Sequence, residues 1–234
     1  MTTTQTIVGL LGLFTSGVIV AGLLLRGQWR IAQAFGAYHA FMMASGALLM
    51  LWPDRFWTWA FWVFRQTTFD LLELAIAFEM AYWIFMGFPG AARSARGMMF
   101  LLLVATFVAV VALPNESAGA PLTLMAGLRP RLELGIAWLF AAILLLVRYY
   151  DIPLHPLHLA IVAGMVVNTC VFGLFVHALG VWGLEWATGE PLVTLQPAAF
   201  AAVCFWWAWR SWNLAPMPVA SEGLVEMLQP WRVR

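Results

Sequence analysis

The sequence has no lysine and little charge of either sign. Twelve arginines stand against eleven acidic residues, and charged side chains are 10% of its 234 residues. A soluble domain carries about one quarter charged residues and about half apolar ones; here the apolar share is 63%. One globule of this length cannot enclose so much apolar surface, because the fraction a chain can bury is limited by surface-to-volume scaling. A soluble enzyme and a disordered chain are excluded on that ground. The near-balance of charge removes the electrostatic case for a polyanionic partner, so no nucleic acid is expected. The absent lysine excludes a retinal protein, whose Schiff base needs an amine inside the membrane.

Cysteine is scarce too. Cys170 and Cys204 both lie inside long apolar runs, which makes no disulfide framework. No HExxH, no GxSxG and no phosphate loop occurs, so the common hydrolase and nucleotide-binding motifs are missing. Seven-helix zinc hydrolases carry paired histidines in their last helix, and residues 195–212 have none. No catalytic residue and no metal site is expected. No cofactor is expected; lipid is the expected bound component, and haem or a pigment is a lesser possibility.

What the chain has in quantity is long apolar stretches, at 7–25, 33–51, 67–88, 97–113, 133–150, 157–181 and 195–212. About 20 apolar residues in a helix cross about 30 Å of hydrocarbon. Turn and breaker residues separate the runs: Arg26-Gly27-Gln28, Trp52-Pro53-Asp54, Pro89-Gly90, Pro114-Asn115-Glu116, Asp151-Ile152-Pro153 and Gly189-Glu190-Pro191. The runs are too long and too uniformly apolar for membrane-barrel strands. The expected fold is therefore all-α, a polytopic integral membrane bundle of about seven transmembrane helices over residues 1–213. A cytoplasmic tail, 214–234, follows. The 97–113 run is the shortest, and six helices with one re-entrant segment is the alternative. The N-terminus lacks the positive region of a signal peptide, so the first run is read as a helix that stays. With the N-terminus outside, eight arginines (26, 30, 93, 96, 148, 210, 232, 234) fall inside and four (55, 65, 129, 131) outside. That bias favours N-out, C-in, as in a bacterial inner-membrane protein. In the tail, Leu224, Met227 and Leu228 form one apolar stripe, followed by Trp231, Arg232 and Arg234. Residues 219–234 are expected to dock on the bundle or membrane, or on a protein partner, for which the helical faces are the other candidate surface.

Ionisable residues inside a membrane are costly and mark places that need partners. The third run holds Asp70, Glu73 and Glu79. At about 100° per residue, Asp70 and Glu73 share a face, and Glu79 lies about 180° from Asp70. Asp70 and Glu73 are expected near the outer boundary, hydrated or paired with Arg65 or Arg131. Glu79 is expected to face the interior, hydrogen-bonded to another helix or holding a proton or ligand. His39 and His158 approach one depth from the inner side, the minimum for a bis-histidine haem, although ligation needs two facing helices with room between them. His177 and Asn168 are read as interhelical hydrogen-bonding residues, as is Thr169 beside Asn168, and Gly164 offers close approach on the Asn168 face. Cys170 and Cys204 are expected at similar depth on neighbouring helices. Two aromatic clusters, one with Trp57, Trp59 and Trp62 and one with Trp206, Trp207 and Trp209, are read as interfacial belts, or else as a surface for an aromatic ligand.

Phe35 and Tyr38 in the second run, Glu79 and Tyr82 in the third, Leu132-Glu133-Leu134 and Tyr149-Tyr150 bounding the fifth, Gly164 to Asn168 in the sixth, and Leu195-Gln196-Pro197 with Trp206 in the seventh occur in a familiar order. In these features residues 1–213 resemble a family of uncharacterised bacterial seven-helix proteins, common in acidobacterial genomes and shaped like the membrane sensor modules of some kinases. The resemblance implies fold alone and carries no activity. Two readings follow. One is a sensory or signalling module acting through a separate partner chain. The other is a structural or accessory subunit of a larger membrane complex, holding lipid, pigment or partner helices. A proton-coupled carrier or haem redox protein, resting on Glu79 and the histidines, is a third.

Overall fold

The computed structural model describes residues 3–86, 97, 98, 101, 105, 121–149, 154–187 and 190–214; side chains at 3–5, 8, 84–86, 121–131, 133, 134 and 176–196 are not described. The described residues are all-helical: α1 (Thr3–Leu25), a 3-10 turn (Gln28–Ile31), α2 (Gln33–Leu51), α3 (Pro53–Phe56), α4 (Trp59–Met86), α5 (Pro121–Tyr149), α6 (Pro156–Ala187) and α7 (Glu190–Asn213). Their boundaries follow local chemistry. Gly27 turns the chain in the left-handed region (φ 68°) and ends α1. Pro53 cannot continue α2, but it fits the first position of α3, where no N–H is needed. Thr58 caps α4, its Oγ1 accepting from the Phe61 N–H at 3.3 Å.

Six long helices close a ring in the order α1, α2, α4, α5, α6, α7 and back to α1. Ser16 meets His39 and Leu13 meets Gly46, so α1 and α2 are antiparallel. Ser45 meets Arg65 and Gln33 meets Glu79, which sets α4 antiparallel to α2. Thr15 meets Cys204 and Gly22 meets Ser211, so α7 runs parallel to α1. His158, at the start of α6, touches Ile31 beside the start of α2 and Trp83 near the end of α4. α6 therefore runs with α2 and against α4. The link from Tyr149 to Pro156 reaches at most about 25 Å, whereas the 29 residues of α5 are about 43 Å long. α5 must end where α6 begins, parallel to α4. Consequently α4 ends, and α5 starts, at opposite ends of the ring.

The interior is packed with Ile19 and Leu23 of α1, Phe35 of α2, Ile76 and Met80 of α4, Phe140 of α5, Ile161 and Met165 of α6, and Trp207 of α7, all essentially inaccessible. The outside is apolar as well. Phe14 (68% exposed), Leu71 (62%), Trp138 (67%) and Leu174 (68%) point outward from four different helices. Two described helices, Gln33–Leu51 and Pro156–Phe175, are long and apolar enough to cross a membrane.

Candidate functional site

Ala32, which precedes α2, has no side chain able to cap that helix. The cap comes from α4. Glu79 Oε1 accepts from the Gln33 N–H at 2.6 Å, and Oε2 from the Ala34 N–H at 2.9 Å. Both oxygens act as acceptors at the positive end of a helix dipole, which is how a carboxylate binds. Beside it, His158 Nε2 lies 2.9 Å from the Ile31 carbonyl. A carbonyl can only accept, so Nε2 carries the hydrogen. The His158 ring stacks on Trp83 at 5.8 Å and meets His155 edge-on at 5.7 Å. His155 Nδ1 accepts the Leu157 N–H at 3.3 Å, capping α6, and burial holds this imidazole below its ordinary 6.5. The turn between α1 and α2 is thus fastened from α4 and from α6 by charged or buried hydrogen bonds.

A second polar cluster lies deeper, where α1, α2 and α7 meet. His39 is wholly buried, with Nδ1 3.2 Å from Ser16 Oγ. Its ring sits edge-on to Phe35 (4.6 Å), Tyr38 (5.3 Å) and Trp207 (5.5 Å). Cys204 is buried beside Thr15. Among the described residues, His39 and His158 share no hydrogen bond or ring contact, so the two imidazoles belong to separate clusters. No group of three or more His, Cys, Asp or Glu is arranged to hold a metal among the described residues.

Other expected residues are placed individually. Asp70 accepts from Gln66 Nε2 at 3.0 Å, one turn back on its own helix. Arg65 donates to Ser45 Oγ at 3.1 Å and lies over the Phe69 ring. Glu73 is buried. Asn168 is half-buried. The neighbouring Thr169 departs from the interhelical reading, since its hydroxyl donates to the Met165 carbonyl of its own helix at 2.7 Å. Cys170 is exposed and Cys204 buried, so the two do not face each other. Arg131 and His177 lie outside the described side chains, and residues 219–234 outside the described residues.

Of the aromatic clusters, Trp57, Trp59, Trp62 and Trp209 are exposed, and Trp206 is half-buried. Trp207 differs from its neighbours. It is fully buried, and its Nε1 donates to the Ala160 carbonyl of α6 at 2.9 Å. Gly164 lets the indole lie flat on α6, since a Cβ there would overlap the Trp207 ring. Trp212 repeats the device on the other flank of α7. Its Nε1 donates to Val18 O at 3.0 Å, and Gly22, four residues on, has no Cβ to obstruct it. Sequence reasoning did not single out Ser16, or Gln28, whose side chain is wholly buried in the turn. An amide in a turn reads as solvated until its tertiary position is known. Comparison with protein-family models, with curated proteins and with solved structures finds no match to this chain.

Proposed function

We propose that the chain is a seven-pass protein of a bacterial inner membrane, N-terminus out and C-terminus in, and that it acts as a sensory or signalling module through a separate partner chain. The observation that carries the membrane reading is an apolar surface on both sides of the ring, in the core and on the outward faces of α1, α4, α5 and α6. A helix apolar all round belongs in lipid. The parallel run of α4 and α5 supports the seventh pass, because α4 ends and α5 starts at opposite ends of the ring. The resemblance to sensor-like seven-helix proteins supports the signalling reading. So does the way Glu79, His155 and His158 are engaged in fastening helix ends, which suits a module that transmits a change of packing. A second reading, an accessory subunit holding lipid, pigment or partner helices, is favoured by the exposed Trp59, Trp138 and Trp209 on three helices.

The test is what accompanies the protein in mild detergent. Deleting residues 219–234 should leave the helical content and thermal midpoint unchanged and remove one specific copurifying chain. A truncated protein that fails to fold would assign the tail to the bundle and leave the signalling reading without its proposed contact. Carotenoid or chlorophyll absorbance in the purified protein would favour the accessory reading, and a Soret band the haem redox one.

A further inference from the structure

The first turn of α6 is built on one titratable residue. His155, just before the helix, serves it twice: its carbonyl accepts the Leu159 N–H at 3.2 Å, and its Nδ1 accepts the Leu157 N–H at 3.3 Å. Pro156 has no N–H to satisfy. His158 lies between these two bonded residues and carries the hydrogen bond from α6 to the α1–α2 turn, Nε2 to the Ile31 carbonyl at 2.9 Å. Its ring meets the His155 ring edge-on at 5.7 Å. From α4, Glu79 holds the same turn through the Gln33 and Ala34 N–H groups. The turn thus has two clamps, and the α6 clamp rests on imidazoles, whose ordinary titration lies near neutral pH.

We propose that His155 is a proton-operated latch: its neutral ring secures the first turn of α6 and with it the His158 bond to Ile31, and on taking a proton it releases both. Because Nδ1 accepts the Leu157 N–H, the neutral ring carries its hydrogen on Nε2. A proton from the inner aqueous phase binds at Nδ1, the only lone pair on the ring, and sets one N–H against another. The resulting cation also stands at the positive end of the α6 dipole, where positive charge is unfavourable. The other charges at this end give it no anion to replace the lost bond. Arg26 and Arg30 flank the α1–α2 turn, and Arg148 is in the last turn of α5. Glu79 of α4 has both oxygens engaged, and Asp151 lies outside the described residues. The half-buried ring turns out to water, Leu157 loses its acceptor, and the first turn of α6 frays with His158 on it. Burial holds the His155 imidazole below its ordinary 6.5, so the latch is closed at neutral pH and opens in mild acid. The latch supplies a stimulus, protons at the inner face, for the signalling reading and rests on that reading for its purpose.

The experiment is solid-state NMR on the full chain in lipid bilayers, with 15N-labelled histidine and 13C-labelled isoleucine, between about pH 7.5 and pH 5.5. A contact between the His158 Nε2–H and the Ile31 carbonyl carbon is expected at the upper limit. It should be lost over the same interval in which His155 Nδ1 gains its proton. In His155→Asn, which accepts the Leu157 N–H but takes no proton, the contact should persist to the lower limit. A wild-type contact that survives the titration of His155 overturns the proposal, and so does a His155 ring that stays neutral throughout. Equal loss of the contact in His155→Asn also overturns it and passes the switch to Glu79 or His158. The signalling reading is decided separately, by the partner that copurifies through residues 219–234.

Discussion

Glu79 joins two helices through one side chain, because a carboxylate has two oxygens and the start of α2 has free N–H groups with no local cap. Glu79→Gln keeps one acceptor oxygen and should fold with a small loss. Glu79→Leu leaves both N–H groups without their acceptor and should lower stability by about 1–2 kcal/mol, the usual size of a lost helix cap. Equal unfolding midpoints in detergent for the two variants would remove Glu79 from this role. His155 makes a pH prediction. Its imidazole is held below 6.5 by burial, so the unfolded chain takes up the proton more readily than the folded one. The stability this group contributes is present above the ordinary value and is lost as pH falls through it toward the folded value. Protonation at Nδ1 also breaks the bond to the Leu157 N–H. The thermal midpoint should therefore fall between about pH 7.5 and pH 5.5. His155→Asn, which still caps but does not titrate, should show a smaller fall; an identical fall would place its cause elsewhere.

At the scale of elements, α7 is tied on both flanks by tryptophans that reach a carbonyl four residues before a glycine. Gly164→Ala places a methyl group inside the Trp207 indole and should cost about 1–3 kcal/mol, the size of overpacking in a filled core. Adding Trp207→Leu should then cost less than it does in the wild-type background, since the added methyl occupies part of the vacated space. Additive losses, measured by thermal unfolding, would mean that the two residues do not touch. The pairing also marks how far the sequence could be read. Residues 33–51 were legible as a helix to the residue, because apolar character and breakers at both ends coincide there. α5 begins at Pro121 rather than near 133, because the helix runs on through Arg129, Pro130 and Arg131, where charge and a proline interrupt the apolar pattern. α7 likewise begins at Glu190 and runs through Pro197. That Trp207 is core and Trp209 is not could not be seen in a cluster where five of eight residues, 205–212, are aromatic. The partner is a bare glycine and carbonyl on another helix, and these leave no local signal. Nor could the sequence separate His39 from His158, whose different partners arise from long-range packing.

For the whole molecule, the described arginines divide between the two ends of the ring. Arg26, Arg30, Arg148 and Arg210 lie at the end where α1, α5 and α7 finish, and Arg55 lies beyond the opposite end of α2, with Arg65 in the early turns of α4. The proposed seven-pass arrangement, in keeping with this asymmetry and with the parallel α4 and α5, puts Asp54 outside and Arg148 inside; Arg93 and Asn115 lie outside the described residues. The direct measurement is labelling of intact cells with a membrane-impermeant maleimide, using single substitutions Asp54→Cys, Arg93→Cys, Asn115→Cys and Arg148→Cys. The seven-pass account predicts that cysteines at 54 and 115 react in intact cells, while those at 93 and 148 react only after permeabilisation. Reaction at 93 and 115 from the same side would contradict it.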